Sequence, residues 1–308
     1  MKRAISLLLL LFLALSLCGC RESRWTGGKT KVLCTAFPVY DLARRVAGED
    51  AEVKMLLPPG AEIHTYEPTA GDLLLLGECD LFFAIGGENE AWVEQLLAAQ
   101  SRSVEVVRML DWGETEEEEP LDSHEESHEH SHETDEHIWT SPRRLPPIVQ
   151  AFAQALAQKD PAHGDDYQSR ARSYVEELQA LDVRLTALIE AAPRREIIVG
   201  DRFPFLYLVK DYGLSYRAAF PGCSEESEPS AAVMGSLCRE IRKKGIPVVL
   251  HVEFSSPAVA EALAEACGVK TATLHSCHTL SKEELEAGET YLSLMERNSI
   301  VLKEALGA

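Results

Sequence analysis

A run of helix-forming residues between positions 167 and 192 divides the chain into two halves of similar size. Apolar side chains recur along it at the three- and four-residue spacing of an amphipathic helix: Val175, Leu178, Leu181, Leu185 and Leu188. Roughly 25 residues at 1.5 Å each make a helix of about 38 Å, which is long enough to span two domains. Pro193 ends the run, so the sequence predicts a linking helix over residues 166–193.

On both sides of this helix, short apolar runs alternate with amphipathic segments. Strands are predicted at residues 32–37, 53–57, 80–85, 197–199, 216–220, 248–252 and 271–274. Helices are predicted at residues 39–48, 72–76, 91–99, 148–159, 205–212, 230–244, 257–267 and 291–306. Such alternation favours parallel sheets with helices on their faces. We therefore expect an α/β fold with two (β/α) lobes, residues 31–165 and 194–308, joined by the long helix.

The first twenty residues indicate export. Lys2 and Arg3 precede an apolar run over residues 4–17 that is short for a membrane span, and Cys20 follows the small Gly19. This pattern is typical of a lipoprotein signal peptide over residues 1–20, with Cys20 as the lipidated residue. An ordinary secretory signal ending near Gly19 is the alternative. Both interpretations place the mature chain outside the cytosol.

The 308 residues carry a net charge of −20, from 50 acidic and 30 basic side chains. A surface this acidic repels nucleic acid and concentrates cations, so we expect no nucleic-acid partner. Six cysteines follow the signal peptide, without CxxC or zinc-ribbon spacing, and the sequence does not assign pairs among them. They are Cys34, Cys79, Cys223, Cys238, Cys267 and Cys277.

Residues 114–136 interrupt the alternation. The stretch contains twelve acidic residues and no Lys or Arg, which predicts a disordered loop. Four histidines lie in it: His124, His128, His130 and His132. They could gather metal ions more weakly than a preformed site, because ordering the loop costs conformational entropy. A loop that is merely solvated is the alternative.

Four other polar residues, two in each half, lie near strand ends or where ordered structure resumes. They are His64, His137, Asp201 and His275. Ligands of open α/β sheets bind at the carboxyl ends of strands, and imidazole and carboxylate groups are ligands that zinc takes. Taken singly, such a histidine is more often structural, but the shared placement predicts a metal site between the lobes.

Three further residues lie beside these positions. His251 lies in the predicted strand 248–252 and is either a partner of the metal ligands or an ordinary strand histidine. Glu253 follows this strand, and we expect it to orient neighbouring structure and not to bind the metal. His278 is the alternative to His275 as a ligand. Cys277, between them, could be a ligand, a buried thiol or half of a disulfide.

Two motifs resemble those of a known family. Residues 56–69 with Asp72 resemble the first metal-ligand motif of the zinc/manganese-type (cluster A-I) solute-binding proteins of ABC importers, and residues 135–142 resemble the second. Residues 212–214 and 291–298, with Glu253, resemble that family's second lobe. The resemblance implies two lobes linked by a long helix, with the metal between them. The chain departs from the family at residues 200–203 and at His275, where Asp201 and His275 are our candidate ligands.

Three imidazoles and one carboxylate favour zinc over manganese, which prefers more oxygen ligands. We therefore expect a monomeric solute-binding protein, lipid-anchored at the outer face of the bacterial cytoplasmic membrane, that passes a divalent metal to an ABC permease. A surface-anchored zinc buffer or adhesin without a transport role is the alternative. We do not expect an enzyme, because no HExxH motif falls on a predicted helix and no GxSxG elbow occurs.

Overall fold

The computed structural model describes residues 25–63, 65–117, 134–220, 222 and 228–308. The first half forms a parallel sheet with strand order β2-β1-β3-β4. Its strands are β1 (Thr30–Cys34), β2 (Ala51–Met55), β3 (Leu81–Ala84) and β4 (Glu105–Arg108). Three helices connect them in the chain: α1 (Phe37–Ala47), α2 (Ala70–Glu78) and α3 (Ala91–Ala98). All four side chains of β3 are buried, as expected for a central strand of a parallel sheet.

A second parallel sheet lies in the other half, after the two-stranded antiparallel pair β5 (Glu116–Glu117) and β6 (Thr134–Asp135). Its order is β10-β9-β7-β8, with strands β7 (Glu196–Val199), β8 (Ser215–Ala218), β9 (Val248–His251) and β10 (Lys270–Thr273). The remaining helices are α4 (Leu145–Lys159), α5 (Gly164–Ala191), α6 (Leu206–Tyr212), α7 (Ala231–Lys244), α8 (Ala258–Cys267), α9 (Lys282–Glu286) and α10 (Tyr291–Ala305). The predicted two-lobe α/β fold is therefore confirmed.

The long helix α5 has 28 residues and packs against α1, α4, α6 and α10. The predicted linking helix covers residues 166–193, so the observed helix both begins and ends two residues before the predicted bounds. Leu178, Leu181 and Leu185 are fully buried and belong to a core that continues from one lobe into the other. None of the helices among the described residues combines the length and the apolar character needed to cross a membrane.

A chain of buried hydrogen bonds also joins the lobes. The Asp41 carboxylate in α1 accepts from Arg44 Nε at 2.7 Å and from the backbone N–H of Tyr291, the first residue of α10, at 2.9 Å. The Tyr291 hydroxyl donates to the Trp139 carbonyl at 2.7 Å, and the Trp139 indole donates to the Ser276 carbonyl at 2.8 Å. The segments around Trp139 and Ser276 are thereby held together.

The structure corrects two expectations about the first half. Strand β4 was not predicted because Glu105–Arg108 lies at the edge of the sheet, has only one buried residue and lacks a continuous apolar run. The acidic loop is shorter than 114–136, because Glu116–Glu117 pairs with Thr134–Asp135. Asp135 and Glu136 are buried and therefore belong to the folded lobe. Residues 118–133, with the four loop histidines, lie outside the described residues.

We predict that Asp41→Ala lowers the free energy of unfolding of the metal-free protein by about 3 kcal/mol. The Arg44 guanidinium and the Tyr291 N–H would lose their shared buried acceptor. Urea denaturation measures the change. Glu286→Ala is the control, because it removes only the exposed Lys282–Glu286 pair and should change stability little. Equal effects of the two substitutions would contradict a role for Asp41 in joining the lobes.

Candidate metal centre

A cleft of about 110 Å³ lies between the two lobes. Its walls are loops that follow β2, β6, β7, β9 and β10, so the carboxyl ends of strands from both halves face it. The lining residues are Gly60, Ala61, Glu62, His137, Arg202, Pro204, Val252, Glu253, Phe254, Ser276, His278 and Thr279. One of the four predicted ligands, His137, is among them, together with Glu253 and with His278, the predicted alternative to His275.

The loop before α2 is held by one carboxylate. Asp72 Oδ2 accepts from the Thr69 backbone N–H and hydroxyl, both at 2.7 Å, and from the Tyr66 hydroxyl at 2.9 Å. Thr69 Oγ1 in return accepts from the Asp72 N–H, which completes a capping box at the start of α2. The residues after position 64 are therefore fixed by the helix start. His64 itself lies outside the described residues.

His137 is oriented by a buried carboxylate. Asp135 Oδ1 lies 3.0 Å from His137 Nδ1 and accepts from the His137 backbone N–H at 2.8 Å. Both side chains are at most 4% exposed. Because a carboxylate can only accept, Nδ1 carries the proton and Nε2 keeps its lone pair. Metal-binding histidines are commonly oriented in this way, by a carboxylate that accepts from the ring nitrogen that does not bind the metal.

His278 faces His137 from the opposite lobe. The two ring centres are 6.2 Å apart and the rings are perpendicular. Trp139 contacts both, at centroid distances of 5.2 Å from His137 and 5.6 Å from His278. In a tetrahedral site, two imidazoles bound to one zinc ion at about 2.0 to 2.1 Å place their ring centres roughly 5 Å apart. The observed separation is longer than that, so a bound ion would draw the two rings closer together.

Glu253 supplies a carboxylate on the same cleft wall. Its oxygen atoms accept from the Ser276 hydroxyl at 2.5 Å and from the Ser276 N–H at 2.7 Å. Burial raises the pKa of Glu253 to about 7, against the opposing effect of these hydrogen bonds. A bound cation would favour the ionised form and offset the cost of burying the charge.

The backbone is unusual beside both Glu253 and His278. Among the described residues, only Phe254 and Cys277 have positive φ without being glycine, at 57° and 59°. Phe254 directly follows Glu253, and Cys277 directly precedes His278. Residues other than glycine rarely adopt this conformation, and such strain concentrates at functional sites.

His275 does not line the cleft. Its backbone N–H donates to Asn298 Oδ1, and its Nδ1 accepts from the Cys277 N–H at 2.9 Å. Nδ1 also lies 3.4 Å from Glu253 Oε1, and Nε2 is buried without a hydrogen-bond partner among the described residues. Burial lowers the pKa of His275 to about 4, so the ring is neutral. The predicted role of His275 as a ligand stays a prediction.

Asp201 is also absent from the cleft lining. Its Oδ2 accepts from the Val252 N–H at 3.0 Å, and its Oδ1 accepts from the Ser255 hydroxyl and the Arg202 N–H, both at 2.8 Å. These bonds tie the loop after β7 to the loop after β9. The next residue, Arg202, is the one that reaches the cleft, where its guanidinium lies 3.5 Å from Glu62. A hydrogen-bonded carboxylate can still bind a metal ion, so the predicted ligand role of Asp201 stays a prediction.

His251 ends β9 outside the cleft, with its ring nitrogens 3.2 Å from the Val252 carbonyl and from Thr273 Oγ1. Cys277 is fully buried and carries a free thiol. Within the described ranges, no three His, Cys, Asp or Glu side chains are placed to hold a metal ion. His137, His278 and Glu253 thus line one cleft without forming a closed cluster by themselves.

Sequence reasoning missed the roles of Asp135, Trp139 and Arg202. An acidic residue two positions before His137 was a usable signal, since such carboxylates often orient metal-binding histidines. Nothing in the sequence indicates that Trp139 touches two histidines from different lobes, because His278 lies more than a hundred residues away.

The two parallel lobes, the long helix and the histidine-bearing cleft between them define the class of two-lobe solute-binding proteins. Residues 32–305 match the family model described as "ZnuA: Zinc-uptake complex component A periplasmic". The chain belongs to this family.

Among the relatives, the chain is 34% identical over 309 residues to the zinc-binding lipoprotein AdcA of Streptococcus pneumoniae TIGR4, covering 98% of this chain and 61% of AdcA. It is 30% identical to the high-affinity zinc uptake system protein ZnuA of Bacillus subtilis, covering 96% and 94%. The crystal structure of Zn(II)-bound AdcA from Streptococcus pneumoniae superposes with a TM-score of 0.74 at 31% identity, covering 91% of this chain and 58% of that chain. The chain thus spans about three fifths of the length of the AdcA relatives.

We predict that Asp135→Asn weakens zinc binding by about 10- to 100-fold, because the amide no longer fixes the His137 tautomer. Competition against a chromophoric zinc chelator measures the affinity. Asp160→Asn is the matched control, since Asp160 Oδ2 lies 2.7 Å from His163 Nδ1 in a similar pair whose residues do not line the cleft. Unchanged affinity in Asp135→Asn, or equal losses in both variants, would argue against the cleft as the zinc site.

Proposed function

We propose that this protein captures zinc outside the cytoplasmic membrane and delivers it to the permease of an ABC importer. The observation that carries the proposal is the perpendicular pair His137 and His278, 6.2 Å apart and contributed by opposite lobes, with Glu253 on the same cleft wall. Membership of the ZnuA family supports the proposal, as do relatives named for zinc binding and zinc uptake.

The ligand set we propose is His64, His137, His278 and Glu253. The neighbours of position 64 support the first, since Gly60, Ala61 and Glu62 line the same cleft. The sequence also predicts Asp201 and His275 as ligands, but each is held by hydrogen bonds to neighbouring loops or helices. Their role in this proposal is to position the loops that carry Glu253 and His278.

The donor set of three imidazoles and one carboxylate suits zinc in a four-coordinate site without a water, because structural zinc sites are closed. Manganese fits less well, since it prefers oxygen ligands. Only neutral imidazoles bind the ion, so protons compete with zinc as the pH falls below about 6. A closed site that holds its ion is suited to transport and not to catalysis.

The remaining parts of the proposal concern the setting of the protein. Cys20 would carry the lipid that anchors the chain at the outer face of the membrane, and the protein would act as a monomer. The loop histidines His124, His128, His130 and His132 would gather zinc with lower affinity than the cleft. These residues lie outside the described ranges, so their roles rest on the sequence alone.

We predict that His137→Ala, His278→Ala and Glu253→Gln each lower zinc affinity by at least about 100-fold, because each removes a ligand. Asp201→Asn and His275→Gln should lower it by less than about tenfold. Competition titration with a zinc chelator gives the affinities, and circular dichroism confirms that each variant is folded. Larger losses in the second pair than in the first group would restore Asp201 and His275 as ligands.

For transport, we predict that deleting the gene abolishes growth of its host in zinc-depleted medium and that added zinc restores it. The wild-type gene should complement the deletion, whereas the His137→Ala variant should not, because it cannot load the cleft. The Asp160→Asn variant is the control for expression. Normal growth of the deletion strain with unchanged zinc uptake would favour the buffer or adhesin alternative.

A further inference from the structure

Two cysteines of the second lobe lie side by side. Cys238 is in α7, and Cys267 is the last residue of α8, 29 positions later. The Cys267 Sγ lies 3.9 Å from the Cys238 carbonyl oxygen, and burial together with the nearby Cys238 thiol raises the pKa of Cys267. Both carry free thiols in this structure.

These two thiols differ from the others among the described residues. Cys34, Cys79 and Cys277 are fully buried, whereas Cys238 and Cys267 are partly exposed. An oxidant in solution can therefore reach this pair without unfolding of the lobe. Cys34 and Cys79 are also neighbours, but burial raises the pKa of both thiols, that of Cys79 to about 12, and keeps them protonated.

The pair covers a small apolar cluster that is separate from the main core. Cys238 and Cys267 pack against Leu237, Ile241 and Leu263, on the face of the second sheet where α7 and α8 meet. The main core runs through both lobes, but this outer cluster has only the two helices and the sheet to hold it. A covalent link between α7 and α8 would stabilise this apolar cluster on the side that the two helices cover.

We propose that Cys238 and Cys267 form a disulfide bond that ties α7 to α8. The proposal rests on the extracytoplasmic location in the proposed function, because disulfides persist outside the cytosol. The bond would lie at the end of the lobe opposite the cleft, since α8 ends at Cys267 just before β10 starts, and the cleft lies where β10 ends. It therefore stabilises the lobe without touching the metal ligands.

A neighbouring arginine favours the reaction. Arg242 Nη2 donates to the Ala266 carbonyl at 2.7 Å, and the guanidinium also interacts with the Cys267 thiol. Burial and the neighbouring Cys238 thiol raise the pKa of Cys267, and the Arg242 charge opposes this rise. The Cys267 thiolate attacks a disulfide oxidant such as oxidised glutathione, forms a mixed disulfide and releases one glutathione thiol. Cys238 then attacks the Cys267 sulfur and releases the second glutathione. The two protein thiols lose two protons and two electrons, and the oxidant takes both.

The pairing is tested by peptide mapping of the full chain, purified in detergent and equilibrated with oxidised glutathione. Free thiols are alkylated under denaturing conditions, and the chain is then cleaved with trypsin and a glutamate-specific protease together. Cleavage at Glu225 and Glu226 separates Cys223 from Cys238, and cleavage at Lys270 separates Cys267 from Cys277. We expect a linked pair of peptides that contain Cys238 and Cys267. Alkylation of both residues, or a link from either one to Cys223 or Cys277, would overturn the proposal.

A second measurement tests the structural effect. Dithiothreitol should lower the Tm of the metal-free wild-type protein by roughly 5 to 10 °C, because reduction frees a loop of about 29 residues. It should not lower the Tm of the Cys238→Ser/Cys267→Ser variant through this pair. Zinc affinity should be the same in the wild type and the variant. Equal Tm shifts in the two proteins would contradict a stabilising bond at this position.

The same mapping on protein alkylated in intact cells separates this proposal from the proposed location. If the linked pair is found in cells and also after equilibration with glutathione, the result supports the disulfide and the extracytoplasmic location. A pair that forms in glutathione but is reduced in cells would leave the pairing chemistry standing and would contradict the extracytoplasmic location instead.

Discussion

The buried carboxylate of Asp41 is the contact on which the relation between the two lobes depends. It accepts a hydrogen bond from the backbone N–H of Tyr291, the first residue of α10. The Tyr291 hydroxyl in turn donates to the Trp139 carbonyl. Trp139 binds the Ser276 carbonyl, and Ser276 binds Glu253. The chain of bonds therefore runs from the first lobe to the cleft wall of the second. A charge buried this deeply is stable only because all of its partners are in place.

Much of the fold could be predicted because its elements are marked locally. Phe37–Ala47 and Gly164–Ala191 show helical periodicity and end near Gly48 and Pro193, and β3 is a continuous apolar run. The edge strand Glu105–Arg108 was missed because half-exposed strands carry a weak pattern over four residues. The same limit applies to Asp135, whose burial depends on pairing with a strand on the other side of the acidic loop.

The loops of the candidate site could be predicted from the sequence. Asp201 and His275 stay predicted ligands, while the structure places their neighbours Arg202 and His278 in the cleft lining, together with Glu253. The difference arises from the backbone. Cys277 adopts a positive φ, so the loop turns between His275, whose backbone is hydrogen-bonded to the Asn298 side chain, and His278, whose ring faces His137. A turn of this kind at a non-glycine residue cannot be predicted from the composition of the sequence or the spacing of its residues.

The contacts across the cleft are unequal, and this difference bears on how a bound ion could leave. At the rim, the Gly60 N–H donates to the Thr279 hydroxyl at 3.0 Å, and Arg202 lies 3.5 Å from Glu62, with both groups partly exposed. Exposed pairs of this kind contribute little stability. At the base, the Asp41, Tyr291 and Trp139 bonds are buried and costly to break. The rim contacts between Glu62 and Arg202 therefore cost less free energy to break than the buried contacts that join the lobes at the base.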